Sequence, residues 1–221
     1  MSSGIKRIII ICEGPTEREF CKDVLVPYFA PKNIFIEYPL IKKSGGGIVP
    51  WKSLKDQIIT HFKQDGSAIV STLIDYYGIP GDYDYPDWDE AHQETDKSRR
   101  MEHLEQGMLQ AIPDIYRNRF LPYIQLHEFE GILFSELRPF LHNFLEEEFV
   151  DYPVFEAIFN CQNPEEINRG RKTAPSKRLL RHIVGYNKVV YGATLAEEIG
   201  LAKIRERCPR FNEWINKIEN I

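Results

Sequence analysis

Three carboxylates in this 221-residue chain stand where chemistry could gather. Glu13 follows the run Ile8 to Cys12, and Asp75 follows Ser67 to Ile74. Glu128 follows Arg119 to Leu126, with His127 between and Glu130 two residues on. Acids brought within a few ångström of one another cannot all stay ionised without a cation. A hard divalent ion such as Mg²⁺ or Mn²⁺ takes oxygen ligands from one or two carboxylates and keeps several waters. Such a site can neutralise phosphoryl oxygens while a neighbouring carboxylate moves a proton. The competing reading is that acids at strand ends only cap helices or close turns. His127 beside Glu128 is open to the same two readings, as base or ligand or as a structural residue.

The elements that would position these acids follow from the pattern. Ile8 to Cys12 is too short for a helix and apolar on both faces, which suits a strand buried in a parallel sheet. Gly14-Pro15 breaks it, Thr16 suits an N-cap or first-turn position, and a helix is expected over Glu17 to Phe29, ending or bending at Pro27. Asn33 to Lys42 reads as a second strand, placed near an edge by Pro39. Ser44 to Gly47 is either a linker or a phosphate-approaching loop without its lysine. A helix over Trp51 to Asp65, with Trp51, Leu54, Ile58, Ile59 and Phe62 on one face, precedes the strand that ends at Asp75. Ile79 to Glu94 reads as a long loop rich in Pro, Gly, Asp and aromatics, with Tyr76, Tyr77, Tyr83, Tyr85 and Trp88 able either to stack on bases or to fold into the core. A helix over Thr95 to Ile112 leads to a fourth strand, Arg119 to Leu126. Alternating strands and helices bring the carboxyl ends to one edge of one sheet. The expected fold is therefore α/β: a Rossmann-like, mostly parallel four-stranded sheet flanked by helices over residues 1–136. Residues 137–221 form a helical, basic extension packed on it.

The charge is uneven. Net charge is −5, yet residues 165–210 hold eleven Lys and Arg against five Glu. Such a segment suits a polyanion beside an acid-rich site, or is simply a solvated face. Within it, Ser176, Lys177, Arg178 and Arg181 could hold a phosphate, or Arg178 and Arg181 could pair with Glu197 and Glu198. Arg169, Arg171 and Lys172 suit contacts to a nucleic-acid backbone that carry no sequence information. Four cysteines without regular spacing argue against a zinc site or disulfide framework, and Cys12 reads as a small core residue. No apolar run is long enough for a membrane helix, and a cytoplasmic location is expected.

The run I-I-I-I-C-E13-G-P-T-E17 followed by L-I-D75-Y-Y-G resembles the Toprim (topoisomerase–primase) domain. Its E-G-x-T-E form is similar to that of the OLD (overcoming lysogenization defect) nucleases. With L-H-E128-F-E130-G-I-L-F-S, A-P-S176-K177-R178 and C-P-R-F-N-E-W, nearly the whole chain is similar to a bacterial Toprim-like family encoded beside AAA or SMC-like ATPases in phage-defence neighbourhoods. The resemblance implies a Toprim-like fold and a Mg²⁺-dependent phosphodiester-cutting site acting on DNA or RNA with an ATPase partner. It implies Glu13 as general acid/base or metal ligand, Glu17 as metal ligand and Asp75 as the first aspartate of the D-x-D motif. Tyr77 stands where the second aspartate belongs, and Glu128, Glu130, Asp82 or Asp84 are the candidates to replace it. A catalytically weak or inactive Toprim-like sensor or binding module partnering an ATPase is the alternative, and self-association is left open. A third class, a nucleotide-binding or small-molecule phosphohydrolase domain, would draw on the glycine loop.

Overall fold

The structure is a computed structural model that describes residues 5–42, 47–168, 170 and 173–221. The chain divides into two compact units, Met1–Leu126 with Ile221, and His127–Asn220. The division falls ten residues before the boundary expected from the sequence.

The first unit is an open α/β sheet with parallel pairing throughout. Its strands are β1 (Lys6–Cys12), β2 (Ile34–Glu37), β3 (Ile69–Asp75), β4 (Phe120–Leu121) and β5 (Ile124–Gln125). The order is β2-β1-β3-β4, with β5 also paired to β3. β1 lies between two neighbours, and Ile8 to Cys12 are all buried. Burial on both faces is what selects an unbroken apolar run, each isoleucine contributing roughly 1.5–3 kcal/mol on leaving water. β2 is the edge strand, as Pro39 implies.

Three local departures from the sequence pattern have physical causes. The first helix is regular only over Pro15–Phe20, then widens into a π-helical turn at Cys21–Leu25 before Val26–Phe29. Pro27 brings no N–H to the ladder, and the widened turn lets the helix continue through it instead of ending. The expected fourth strand is broken in two at Pro122-Tyr123. There the Thr72 hydroxyl donates to the Tyr123 carbonyl and accepts from the Tyr123 amide, both at 2.9 Å. The long loop is partly ordered into a 3₁₀ turn, Gly81–Tyr83, and a helical turn, Trp88–Ala91.

The helix Trp51–Gln64 buries Trp51, Leu54, Ile58 and Phe62, and the helix Lys97–Ala111 buries Met101, Leu104 and Met108, in one core with Ile9, Ile11, Val70 and Ile74. Asp96 caps the second of these, accepting from the Arg99 amide at 3.0 Å.

The second unit is helical. It opens with His127 at φ +69°, a left-handed backbone uncommon for a residue with a Cβ, and a 3₁₀ segment, Phe129–Ser135. Its longest helices are Lys188–Ile199 and Pro209–Glu219. Phe134, Phe140, Phe155 and Phe159 form an aromatic cluster with ring centroids 5.3–6.5 Å apart.

Candidate functional site

β1 and β3 are adjacent and parallel, with Cys12 opposite Leu73. Their register carries Glu13 and Asp75 to the same carboxyl edge. The link is direct: the Asp75 amide donates to Glu13 Oε2 at 2.9 Å, and the Glu13 amide donates to the Leu73 carbonyl at 3.0 Å. Asp75 is 5 % exposed, while Glu13 is partly open to solvent. The Gly47 amide reaches the Glu13 carbonyl at 3.3 Å. Gly45 and Gly46 lie outside the described residues, so the phosphate-loop reading concerns only Gly47.

Glu17 is buried beside them, at 2 % exposure. Its Oε2 accepts from the Gly14 amide at 2.9 Å and so covers one of the amides at the start of the helix Pro15–Phe20. A Cβ at position 14 would stand 3.1 Å from that carboxylate, a tight approach that glycine avoids. Of the two places that suit Thr16, the structure gives it the first turn; Gly14 is the N-cap.

Tyr85 closes the site from the long loop. It is buried, and its hydroxyl donates to the Val49 carbonyl at 3.3 Å. Burial holds its phenol protonated well above the usual tyrosine range, and the nearby charge of Glu13 adds to this. Tyr76 is partly buried, and its hydroxyl meets His92 Nε2 at 2.8 Å. His92 Nδ1 lies 2.6 Å from the Trp88 carbonyl, which can only accept, so in the neutral imidazole Nε2 is the acceptor and Tyr76 the donor. Arg100 donates to the same phenol at 3.4 Å and to the Glu94 carbonyl at 2.7 Å. Tyr76 and Tyr85 each pack on Trp88 and on the core, and the ring centroids of His92 and Trp88 are 4.4 Å apart. This tie between the long loop and the strand end is not visible in the sequence beyond the helical spacing of Trp88 and His92.

The other expected acids lie in the second unit, where they have partners of their own. Glu128 accepts from the Ser176 amide at 2.8 Å and the Ser176 hydroxyl at 3.0 Å, at the start of the helix Pro175–His182. A carboxylate there complements the positive end of the helix. Glu130 is fully buried, and Lys188 Nζ meets its two oxygens at 3.0 and 3.2 Å. Lys177 and Arg181 are exposed. Arg178 donates to the carbonyls of Thr173 at 2.9 Å and Ile167 at 3.0 Å, while Glu198 receives Asn143 Nδ2 at 2.8 Å. Arg169, Arg171 and Lys172 lie outside the described residues.

Among the described residues no group of three or more His, Cys, Asp or Glu is gathered as a metal site. Asp82 and Asp84, both exposed, therefore do not complete one with Glu13 and Asp75. The adjacent pair Glu13 and Asp75 nevertheless fits the oxygen chemistry of Mg²⁺, which binds through one or two carboxylates and completes its shell with water and phosphate.

An open parallel α/β sheet with two acids at its carboxyl edge, followed by a helical unit, is the class of protein that fold and site define. The chain belongs to the family described as "Domain of unknown function (DUF4276)", which it matches over residues 12–219. No curated protein and no solved structure matches it. Among the described residues no helix is long and apolar enough to cross a membrane.

Proposed function

We propose that the chain is a Mg²⁺- or Mn²⁺-dependent Toprim-type nuclease that hydrolyses phosphodiester bonds of DNA or RNA. The observation that carries this reading is the pairing of Glu13 with Asp75 through the Asp75 amide at 2.9 Å, at the edge where open α/β sheets place their ligands. Glu13 and Asp75 would hold the ion. When bound, the ion would neutralise phosphoryl oxygens and favour an attacking hydroxide. Glu13, oriented by the Asp75 amide and open to solvent on one side, would move the proton. Glu17 fixes the Gly14 turn that aims Glu13. A cytoplasmic location, an ATPase partner and a role in phage defence belong to the same proposal and rest on the Toprim and OLD resemblance alone.

A second reading is a Toprim-like module that binds nucleic acid and an ATPase without cutting. Tyr77 in place of aspartate favours it, as does the lack of a third metal-gathering acid among the described residues. One experiment separates the two. Purified protein is incubated with single- and double-stranded DNA and RNA in Mg²⁺, Mn²⁺ or EDTA, alongside Glu13→Gln and Asp75→Asn. The nuclease reading expects metal-dependent cleavage that falls about 10²–10⁴-fold in either variant, the usual worth of a positioned proton-transfer group. Cleavage at the wild-type rate in both variants would sink it, and binding in EDTA with no cleavage in any metal would favour the second reading.

A further inference from the structure

The second unit contains an open cleft of about 810 Å³, within the size range of sites for small ligands. We propose that this cleft binds a nucleoside monophosphate, independently of the carboxylate site in the first unit. Its walls are of two kinds. Ala157, Ile158 and Ile167 present aliphatic surface, and Asn160, Gln162 and Asn163 present amides. An aliphatic wall takes the flat face of a base, while a side-chain amide supplies both a donor and an acceptor to its edge.

The cleft is also cationic at one end. Arg178 lines it, and its guanidinium is fixed by the Thr173 and Ile167 carbonyls at 2.9 and 3.0 Å, so its plane is set before any ligand arrives. Arg207 donates to the carbonyls of Phe159 and Cys161, on the loop that carries the amides. Among the described residues Glu166 is the single carboxylate in the lining, and Asn163 Nδ2 reaches it at 3.4 Å. Arg178 in the lining, with Arg207 outside it but close enough for both charges to act on Cys161, makes that end suited to a phosphate. An anion alone would make no use of the aliphatic and amide walls; a lone base would make no use of the arginines.

Cys161 lies in the lining and is half-buried, while Cys12, Cys21 and Cys208 are buried. A thiol reagent should therefore label Cys161 first and report on occupancy. The test alkylates the native protein with N-ethylmaleimide above pH 8, in EDTA, with AMP, adenosine or inorganic phosphate. EDTA removes the metal chemistry of the first unit, so the outcome does not depend on the nuclease reading. Labelling should slow about tenfold when AMP stands at ten times its dissociation constant, with weaker protection by adenosine and by phosphate at equal concentration. In Gln162→Glu, which sets a second carboxylate on an exposed part of the wall, AMP protection, measured against the variant's own AMP-free labelling rate, should vanish while the melting temperature stays within error. No protection by 10 mM AMP (roughly a millimolar-affinity screen) would overturn the proposal. Equal protection by phosphate and AMP would also overturn it, because the base would then contribute nothing. Protection unchanged in Gln162→Glu would place the ligand elsewhere.

Discussion

Thr72 and Tyr123 exchange two hydrogen bonds across the break in the last strand of the sheet, each 2.9 Å long. One hydroxyl thus does for the Tyr123 backbone what a sheet ladder would have done. It stands three residues before Asp75, so the same contact ties β5 to the strand that carries the acid.

Replacing that hydroxyl separates its role from simple packing. Thr72→Val keeps the shape but leaves the Tyr123 N–H and C=O, both buried, without this partner. A loss of about 2–4 kcal/mol is expected. Thr72→Ser retains the hydroxyl and removes one methyl, for about 1 kcal/mol. Denaturant titrations of the two variants would decide it: equal losses would mean that the methyl, and not the hydroxyl, holds the strand.

Glu17 is open to a sharper distinction, between a helix cap and a metal ligand. Its carboxylate accepts from the Gly14 amide at 2.9 Å. Glu17→Gln keeps an oxygen for that amide and should cost under about 1 kcal/mol, whereas Glu17→Ala should cost about 1–2 kcal/mol. If Glu17 serves only as a cap, Glu17→Gln retains the full stabilisation by Mg²⁺, read as a rise in melting temperature and worth about 2.7 kcal/mol at a hundredfold excess of ion over its dissociation constant. Loss of that rise in Glu17→Gln, with stability intact in EDTA, would make it a ligand as well.

What the sequence made legible, and what it did not, follows the range of the interactions involved. β1 and β3 were readable because burial on both faces leaves a local mark, a run such as Ile8 to Ile11. Glu13 and Asp75 were readable as a pair because parallel crossovers align strand ends. Glu128 and Glu130 carry the same local mark, but their partners Ser176 and Lys188 lie 48 and 58 residues downstream. Nothing near them in sequence distinguishes an anchor for a helix from a ligand for a metal. The last strand reads in the sequence as unbroken from Arg119 to Leu126; its break at Pro122-Tyr123 is bridged by Thr72, fifty-one residues from Tyr123, a contact with no local mark. Arg178 was read as a phosphate or carboxylate partner; its fixed hydrogen bonds go to backbone carbonyls that no side-chain pattern reveals.

The long loop is held on its helix by an absence. A Cβ on Gly107 would stand 2.7 Å from Asp87 Oδ2 and 3.0 Å from the Pro86 carbonyl. Helix propensity alone would favour Gly107→Ala by about 1 kcal/mol. The backbone contact at Pro86 reverses the sign, because the segment must move to admit the methyl, at about 1–3 kcal/mol. Thermal denaturation should show a net loss. Trp88 sits on the segment that moves, so its fluorescence should shift in the folded variant. A stabilised variant with unchanged fluorescence would mean that the loop yields freely.

Glu165 offers a pH signature. It is fully buried, and its oxygens accept from the amides of Arg210 at 2.9 Å and Phe211 at 3.1 Å, at the start of the helix Pro209–Glu219. Burial pushes its carboxyl up to about 7, against the pull of those two amides and the charge of Arg210. The folded state therefore binds this proton more tightly than the unfolded chain, where glutamate titrates near ~4.3. Its contribution to stability is greatest below about pH 4, falls as pH rises through the interval from there to about 7, and is level above that. The fall amounts to roughly 3–4 kcal/mol. Glu165→Gln has no such proton, though its amide nitrogen faces a backbone N–H and should cost about 1–3 kcal/mol at pH 5. Urea titrations at pH 5, 6, 7 and 8 should show the wild-type advantage over Glu165→Gln shrinking steadily as pH rises. An advantage that stays constant or grows would mean that the helix amides, not burial, govern this carboxyl.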